Sequence, residues 1–207
     1  MFSLSADLLI PRLLILLIAF PVHEFAHAWT ANNLGDDTPR LNGRLTLNPL
    51  AHLDVFGSIL LVVAGFGWAK PVPVNPYALQ RRTPAGMMIV AAAGPLSNVG
   101  LALLASIPFR LGMISLPSST LALLVANFVL INLVLFFFNL IPIFPLDGEK
   151  VLTYFLPPSG QALLAQLRPY GPILLALLIV LSSRTGLNLL DLIVRGPALM
   201  ITGALIS

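Results

Sequence analysis

Cysteine is absent, which excludes disulfides and thiolate metal sites together, so any metal held by this chain must be bound by imidazole or carboxylate. Charge is nearly as scarce. Only 9% of the 207 residues are charged against 57% hydrophobic, with a mean hydropathy of +0.95, values that exclude an ordinary soluble domain and indicate an integral membrane protein. The 11 cations are scattered between apolar runs, so the net charge of +3 bears on orientation in a lipid bilayer and not on a nucleic-acid partner. No soluble domain, low-complexity tract or long linker interrupts the chain. A single membrane-embedded domain over residues 1–207 is expected. The first residues lack a basic n-region, and the apolar run from Leu8 continues without a small-residue cleavage site, so it reads as a retained span.

Residues 8–31 read as the first helix, with Pro21 expected to free the carbonyl of Leu17 and kink it. Residues 85–107 and 119–141 are uncharged runs long enough to cross a bilayer. A short helix is expected from Asp147 to Leu156, then apolar stretches near 170–183 and 186–206, interrupted by Pro169, Pro172 and Pro197. The run from Val55 to Ala69 is too short for a straight crossing and carries Gly57, Gly65 and Gly67. The expected fold is therefore an all-α multi-pass membrane protein of about five to six transmembrane helices. It has a re-entrant segment near 55–69 and short extended strands near 44–48 and 72–75, each of which ends in Asn-Pro. A helical substrate, once unwound, could add to such strand edges.

Within the first span lies His23-Glu24-Phe25-Ala26-His27. Two histidines four positions apart on a helix lie on one face about 6 Å apart along the axis, close enough to share a metal ion. Glu24 projects beside that metal, where it can serve as a general base toward water. With 3 His and 2 Glu in the chain, chance produces this H-E-x-x-H pattern roughly 4 times in 10,000. The ordinary alternative is a histidine pair hydrogen-bonded between helices, with Glu24 paired to a buried arginine.

Two imidazoles are too few for a catalytic zinc site, so a third ligand is required. Outside the pentad the candidates are Asp7, Asp36, Asp37, Asp54, Asp147, Glu149, Asp191 and His52. Asp147 stands out, because it follows a span through a Pro142 and Pro145 break and precedes Gly148, which permits close backbone approach. His52 and Asp54 are the competing pair, in a polar loop. For Asp147 to meet His23 and His27, the intervening chain must cross the membrane an even number of times, and the spans at 85–107 and 119–141 supply two. Residues 55–69 should then not cross. This topology places Arg40, Arg44, Lys70, Arg81, Arg82, Lys150 and Arg168 on the metal side against Arg110 and Arg184 on the other, seven to two. The active site is accordingly expected on the cytoplasmic side of the cell membrane.

These residues resemble the site-2 protease family of intramembrane zinc metalloproteases. The resemblance rests on HEFAH, on Asn139-x-x-Pro142-x-x-x-x-Asp147-Gly148, and on Gly94-Pro95-Leu96-Ser97-Asn98, and it covers most of the chain. The stretches Leu47 to Asp54 and Gly67 to Asn75 resemble the small prokaryotic branch without PDZ or CBS domains. The resemblance implies one zinc ion per chain held by His23, His27 and Asp147, with Glu24 as general base, and transmembrane proteins or peptides as substrates. It also makes Asn98 a candidate for contacting substrate or the oxyanion. Asn132 is expected to hydrogen-bond between helices and Asn139 to brace the Asp147 turn. Asp191 and Arg195, four apart, should neutralise each other. A metal-binding membrane transporter and a non-proteolytic relative are the competing classes; the first would show repeated halves and further ion ligands along a path, and neither is present, while the second would not need the intact Glu24.

Overall fold

A computed structural model of the chain describes residues 6–117, 119–184 and 189–207; the first three residues of the expected 186–206 stretch lie outside them. Among the described residues the structure is helical, without a strand ladder. Four helices among the described residues are long and apolar enough to cross a membrane. These are α1 (Leu9–Asn33), α4 (Gly86–Arg110), α5 (Thr120–Asn139) and α7 (Pro158–Ser182). Between them lie α2 (Val55–Ala64), α3 (Pro76–Arg82) and α6 (Asp147–Phe155), and α8 (Gly196–Ile206) closes the chain. Pro169 and Pro172 do not break α7. The helix absorbs Pro169 in a 3-10 turn at Arg168–Tyr170, and Pro172 sits in the first turn of the α-helical part that follows, where a missing N–H costs little.

The first helix buries a stripe of Leu16, Ala19, His23, His27 and Ala31, spaced three or four apart. Just ahead of Pro21 the backbone widens into a π turn at Ile15–Ala19, the local adjustment by which the helix passes its proline. Helix α4 packs along this stripe and carries the chain away from the histidines to Arg110, and α5 brings it back. Ala102 of α4, Val129 and Leu133 of α5 and Ala198 of α8 form one apolar core. Ile141, Leu146, Leu175 and Val194 form a second beneath the turn that follows α5.

The 55–69 segment turns back on itself. Helix α2 has 10 residues, about 15 Å of rise, half the hydrocarbon thickness of a bilayer. Gly65 ends it in the left-handed conformation at φ 77°, and the chain returns in extended form over Gly57 and Gly67, whose missing Cβ atoms admit the Trp68 and Gly57 carbonyls. Leu53 and Ala69 then meet in a single antiparallel bridge that brings the two ends of the segment together. At the far tip, Arg12 of α1 donates to the Val62 carbonyl at 2.5 Å and satisfies the C-terminal end of α2. That gives a task to a cation inside an apolar run.

The expected strands at 44–48 and 72–75 do not pair. Pro71 and Pro73 lack N–H groups, Arg44 N–H turns back to the Pro39 carbonyl, and side chains take up other backbone groups of these stretches. Arg44, only 5% exposed, donates to the carbonyls of Ala51, Lys70 and Pro71. Asn75 N–H donates to the buried Asp36 carboxylate at 2.6 Å. The repeated Asn-Pro pairs are helix starts, not strand ends: Asn48 accepts from Leu50 N–H and Asn75 from Tyr77 N–H. Arg44→Ala leaves three carbonyls without a donor, a loss on the order of 3 kcal/mol. Limited proteolysis of this variant in detergent should cut within 44–71 far faster than in wild type, and equal rates would contradict the role assigned to Arg44.

Candidate metal centre

His23 and His27 lie on the α1 face that meets α4, and Asp147 is delivered by the turn after α5. His23 Nε2 and His27 Nε2 are 3.0 Å apart, and each lies 3.2 Å from Asp147 Oδ2. All three residues are buried. Ligands about 2.05 Å from a tetrahedral zinc sit roughly 3.3 Å from one another, so the spacing fits one ion. The donor set is also right, since two imidazoles and a carboxylate leave a fourth position open for catalysis. Gly94 completes the fit, because a Cβ there would collide with Nε2 of both histidines. Gly148 makes the turn possible, because a Cβ there would strike the Leu140 and Ile141 carbonyls.

Each ligand is held from behind. His27 Nδ1 lies 2.7 Å from the Val90 carbonyl, which can only accept, so Nδ1 carries the proton and Nε2 keeps its lone pair for a metal. His23 Nδ1 faces the Asn98 amide at 3.3 Å. Asp147 Oδ1 receives Lys150 Nζ at 3.4 Å, leaving Oδ2 for the centre. Burial alone would raise the Asp147 carboxyl, but with no metal bound the facing His27 and His23 rings, when protonated, outweigh it and hold it below the usual carboxylate range. A carboxylate that takes a metal must be ionised. Glu24 is buried beside this centre, and Val72 N–H donates to its Oε2 at 3.2 Å.

Over 179 residues, 83% of this chain and 81% of the relative, the sequence is 42% identical to a Bacillus subtilis protein called "Putative zinc metalloprotease YwhC". The chain belongs to this zinc metalloprotease family. The metalloprotease is also 30% identical, over 82% of its length and 66% of the relative's, to "Putative zinc metalloprotease Rip2" of Mycobacterium tuberculosis. A Methanocaldococcus jannaschii relative, "Putative zinc metalloprotease MJ0611", is 40% identical over 48% of this chain and 50% of its own. No family model and no solved structure matches the metalloprotease.

The other polar candidates have local partners. Buried His52 pairs through Nε2 with the Thr46 carbonyl at 2.7 Å, and Asp54 caps α2 by accepting from Gly57 N–H, so neither joins the cluster. Asp191 and Arg195 pair at 3.8 Å. Asn132 and Asn139 bond within their own helix, to the Phe128 and Leu135 carbonyls, and not between helices or to the turn as expected. Asn98 is fully buried against His23. The sequence reading missed Lys150, Val90, Val72 and the steric task of Gly94. Lys150 had a signal in its i,i+3 spacing from Asp147, and Gly94 in being a glycine within an apolar helix. The Val90 and Val72 contributions are backbone groups and leave no trace in residue identity.

Two measurements test the metalloprotease centre. Zinc per chain in the purified protein should fall to a small fraction of wild type in Asp147→Ala and stay stoichiometric in Asp54→Ala; the reverse pattern would reassign the third ligand. Gly94→Ala should weaken zinc binding at least about tenfold, the scale on which disturbed support of a ligand acts. Wild-type affinity in that variant would contradict the packing described.

Proposed function

We propose that this metalloprotease is an intramembrane endopeptidase of the site-2 protease type, hydrolysing peptide bonds in or near transmembrane segments of membrane proteins. The observation that carries this reading is the position of the His23, His27 and Asp147 cluster. It is buried between helices long and apolar enough to span a bilayer, with Glu24 adjacent. His23, His27 and Asp147 would hold one zinc ion per chain. Bound there, zinc supplies Lewis acidity, lowering the pKa of a coordinated water and offsetting charge on a carbonyl oxygen.

The chain's own residues carry the proton. Glu24 is the general base: its Oε1 takes the proton of the attacking water as oxygen bonds to the scissile carbon, and the proton passes to the amine nitrogen as the C–N bond breaks. Val72 N–H holds Oε2 and orients the carboxylate for this transfer. The burial of the site keeps bulk water at a distance, which strengthens the interactions within it. Substrate enters as an unwound, extended segment, since a helix hides its peptide bonds in its own hydrogen bonds.

In the membrane, the turned-back 55–69 segment is re-entrant, dipping from the metal side to the level of Arg12. The seven-to-two distribution of cations supports a cytoplasmic metal side in the cell membrane. The test is Glu24→Gln with a transmembrane reporter substrate, in detergent and in vesicles. Zinc content should remain at wild type while cleavage falls by at least about a hundredfold, the scale of general-base catalysis. Undiminished cleavage would remove Glu24 from the mechanism, and cleavage confined to soluble peptides would overturn the intramembrane assignment.

A further inference from the structure

Helix α4 supports the two histidines with one face. Val90, Gly94 and Asn98 are spaced four apart, as His23 and His27 are, and the two helices run so that Val90 meets His27 and Asn98 meets His23, with Gly94 between. The His27 side is settled by chemistry, because a carbonyl accepts only. On the His23 side the group is an amide, which can offer either end. Asn98 is 0% exposed and its Nδ2 lies 3.3 Å from His23 Nδ1, while its Oδ1 is buried without a partner.

That pairing conflicts with metal binding. Nε2 of His23 faces His27 Nε2 and Asp147 Oδ2, so as a ligand it needs its lone pair, and the neutral ring must then carry its proton on Nδ1. An N–H would meet an N–H2. A half-turn of the Asn98 amide exchanges its two ends in place and removes the clash of donors at His23. Oδ1 gains a donor, and the His23 Nδ1–H gains an acceptor.

We infer that Asn98 is a positioning residue for the metal, its carbonyl oxygen accepting the His23 Nδ1 proton and thereby fixing the tautomer and ring plane that present Nε2. This rests on the metal-site reading above and assigns Asn98 a place behind the ligand, in contrast to contact with substrate. Its side chain has no exposed surface from which to reach a peptide. The same helix then sets both imidazoles in one tautomer, through a backbone carbonyl at Val90 and a side-chain carbonyl at Asn98.

The test is zinc affinity, measured by chelator competition on the full chain in detergent for wild type, Asn98→Leu, Asn98→Asp and His23→Ala. Asn98→Leu should bind zinc 10- to 100-fold more weakly. Asn98→Asp keeps the shape and an acceptor but loses the N–H2, and should hold affinity to within a few-fold of wild type, a result that a donor role for the Asn98 amide would not produce. Equal affinity in the leucine variant, or equal loss in the leucine and aspartate variants, would overturn the inference. A second readout does not depend on any variant folding: ring nitrogen resonances of the zinc-loaded wild type should show His23 protonated at Nδ1. Zinc bound to Nδ1 of His23 would overturn it as well. Wild-type affinity in His23→Ala would instead remove His23 from the metal site, and the Asn98 assignment with it. The two failures are therefore distinct.

Discussion

The close approach of α1 and α4 at Gly94 is the contact on which the rest of the structure depends. A side chain at that position would stand where the two histidine Nε2 atoms converge, so the absence of a Cβ admits both imidazoles and lets the helices pack along a shared stripe. With the helices at that separation, the Val90 carbonyl reaches His27 and the Asn98 amide reaches His23. Packing and chemistry are thus one arrangement. The glycine that lowers local helix propensity by about 1 kcal/mol is also the one that makes the polar cluster possible inside an apolar bundle.

The return of the chain follows from the same contact. Helix α4 leads away from the histidines, α5 comes back, and the turn after it places Asp147 against both rings, with Gly148 pressed onto the end of α5. Buried Glu149 receives Arg168 at 2.9 Å and ties α7 to this turn. On the other flank, the extended stretch before α3 lays Val72 N–H on Glu24 and Asn75 N–H on Asp36. Arg44 fixes the loop that carries it. The buried ionisable side chains His23, Glu24, His27, Asp36, Arg44, His52, Asp147 and Glu149 therefore gather toward one end of the apolar bundle.

Much of this was legible in the sequence because ionisable residues are so few. The pentad, the absence of cysteine and the small number of remaining acids led to Asp147, which the structure places with His23 and His27. The misreadings have a common physical cause. Extended Asn-Pro segments resemble strands by composition, but strand pairing depends on which distant backbone group lies alongside, and here side chains of Glu24, Asp36 and Arg44 took those places. Asn132 and Asn139 likewise satisfied themselves on their own helix, a choice that residue type does not dictate. The expected apolar stretch near 170–183 lies within α7, where Pro169 is taken up in a 3-10 turn.

The central claim is that two imidazoles and one carboxylate, brought together across the membrane-embedded fold, hold a single catalytic zinc. Zinc-edge X-ray absorption of the purified full chain tests it most directly. The account predicts one zinc per chain with two imidazole nitrogens and further oxygen or nitrogen ligands at about 2.0–2.1 Å. A spectrum without imidazole scattering, or one left unchanged when His23 and His27 are replaced, would contradict it.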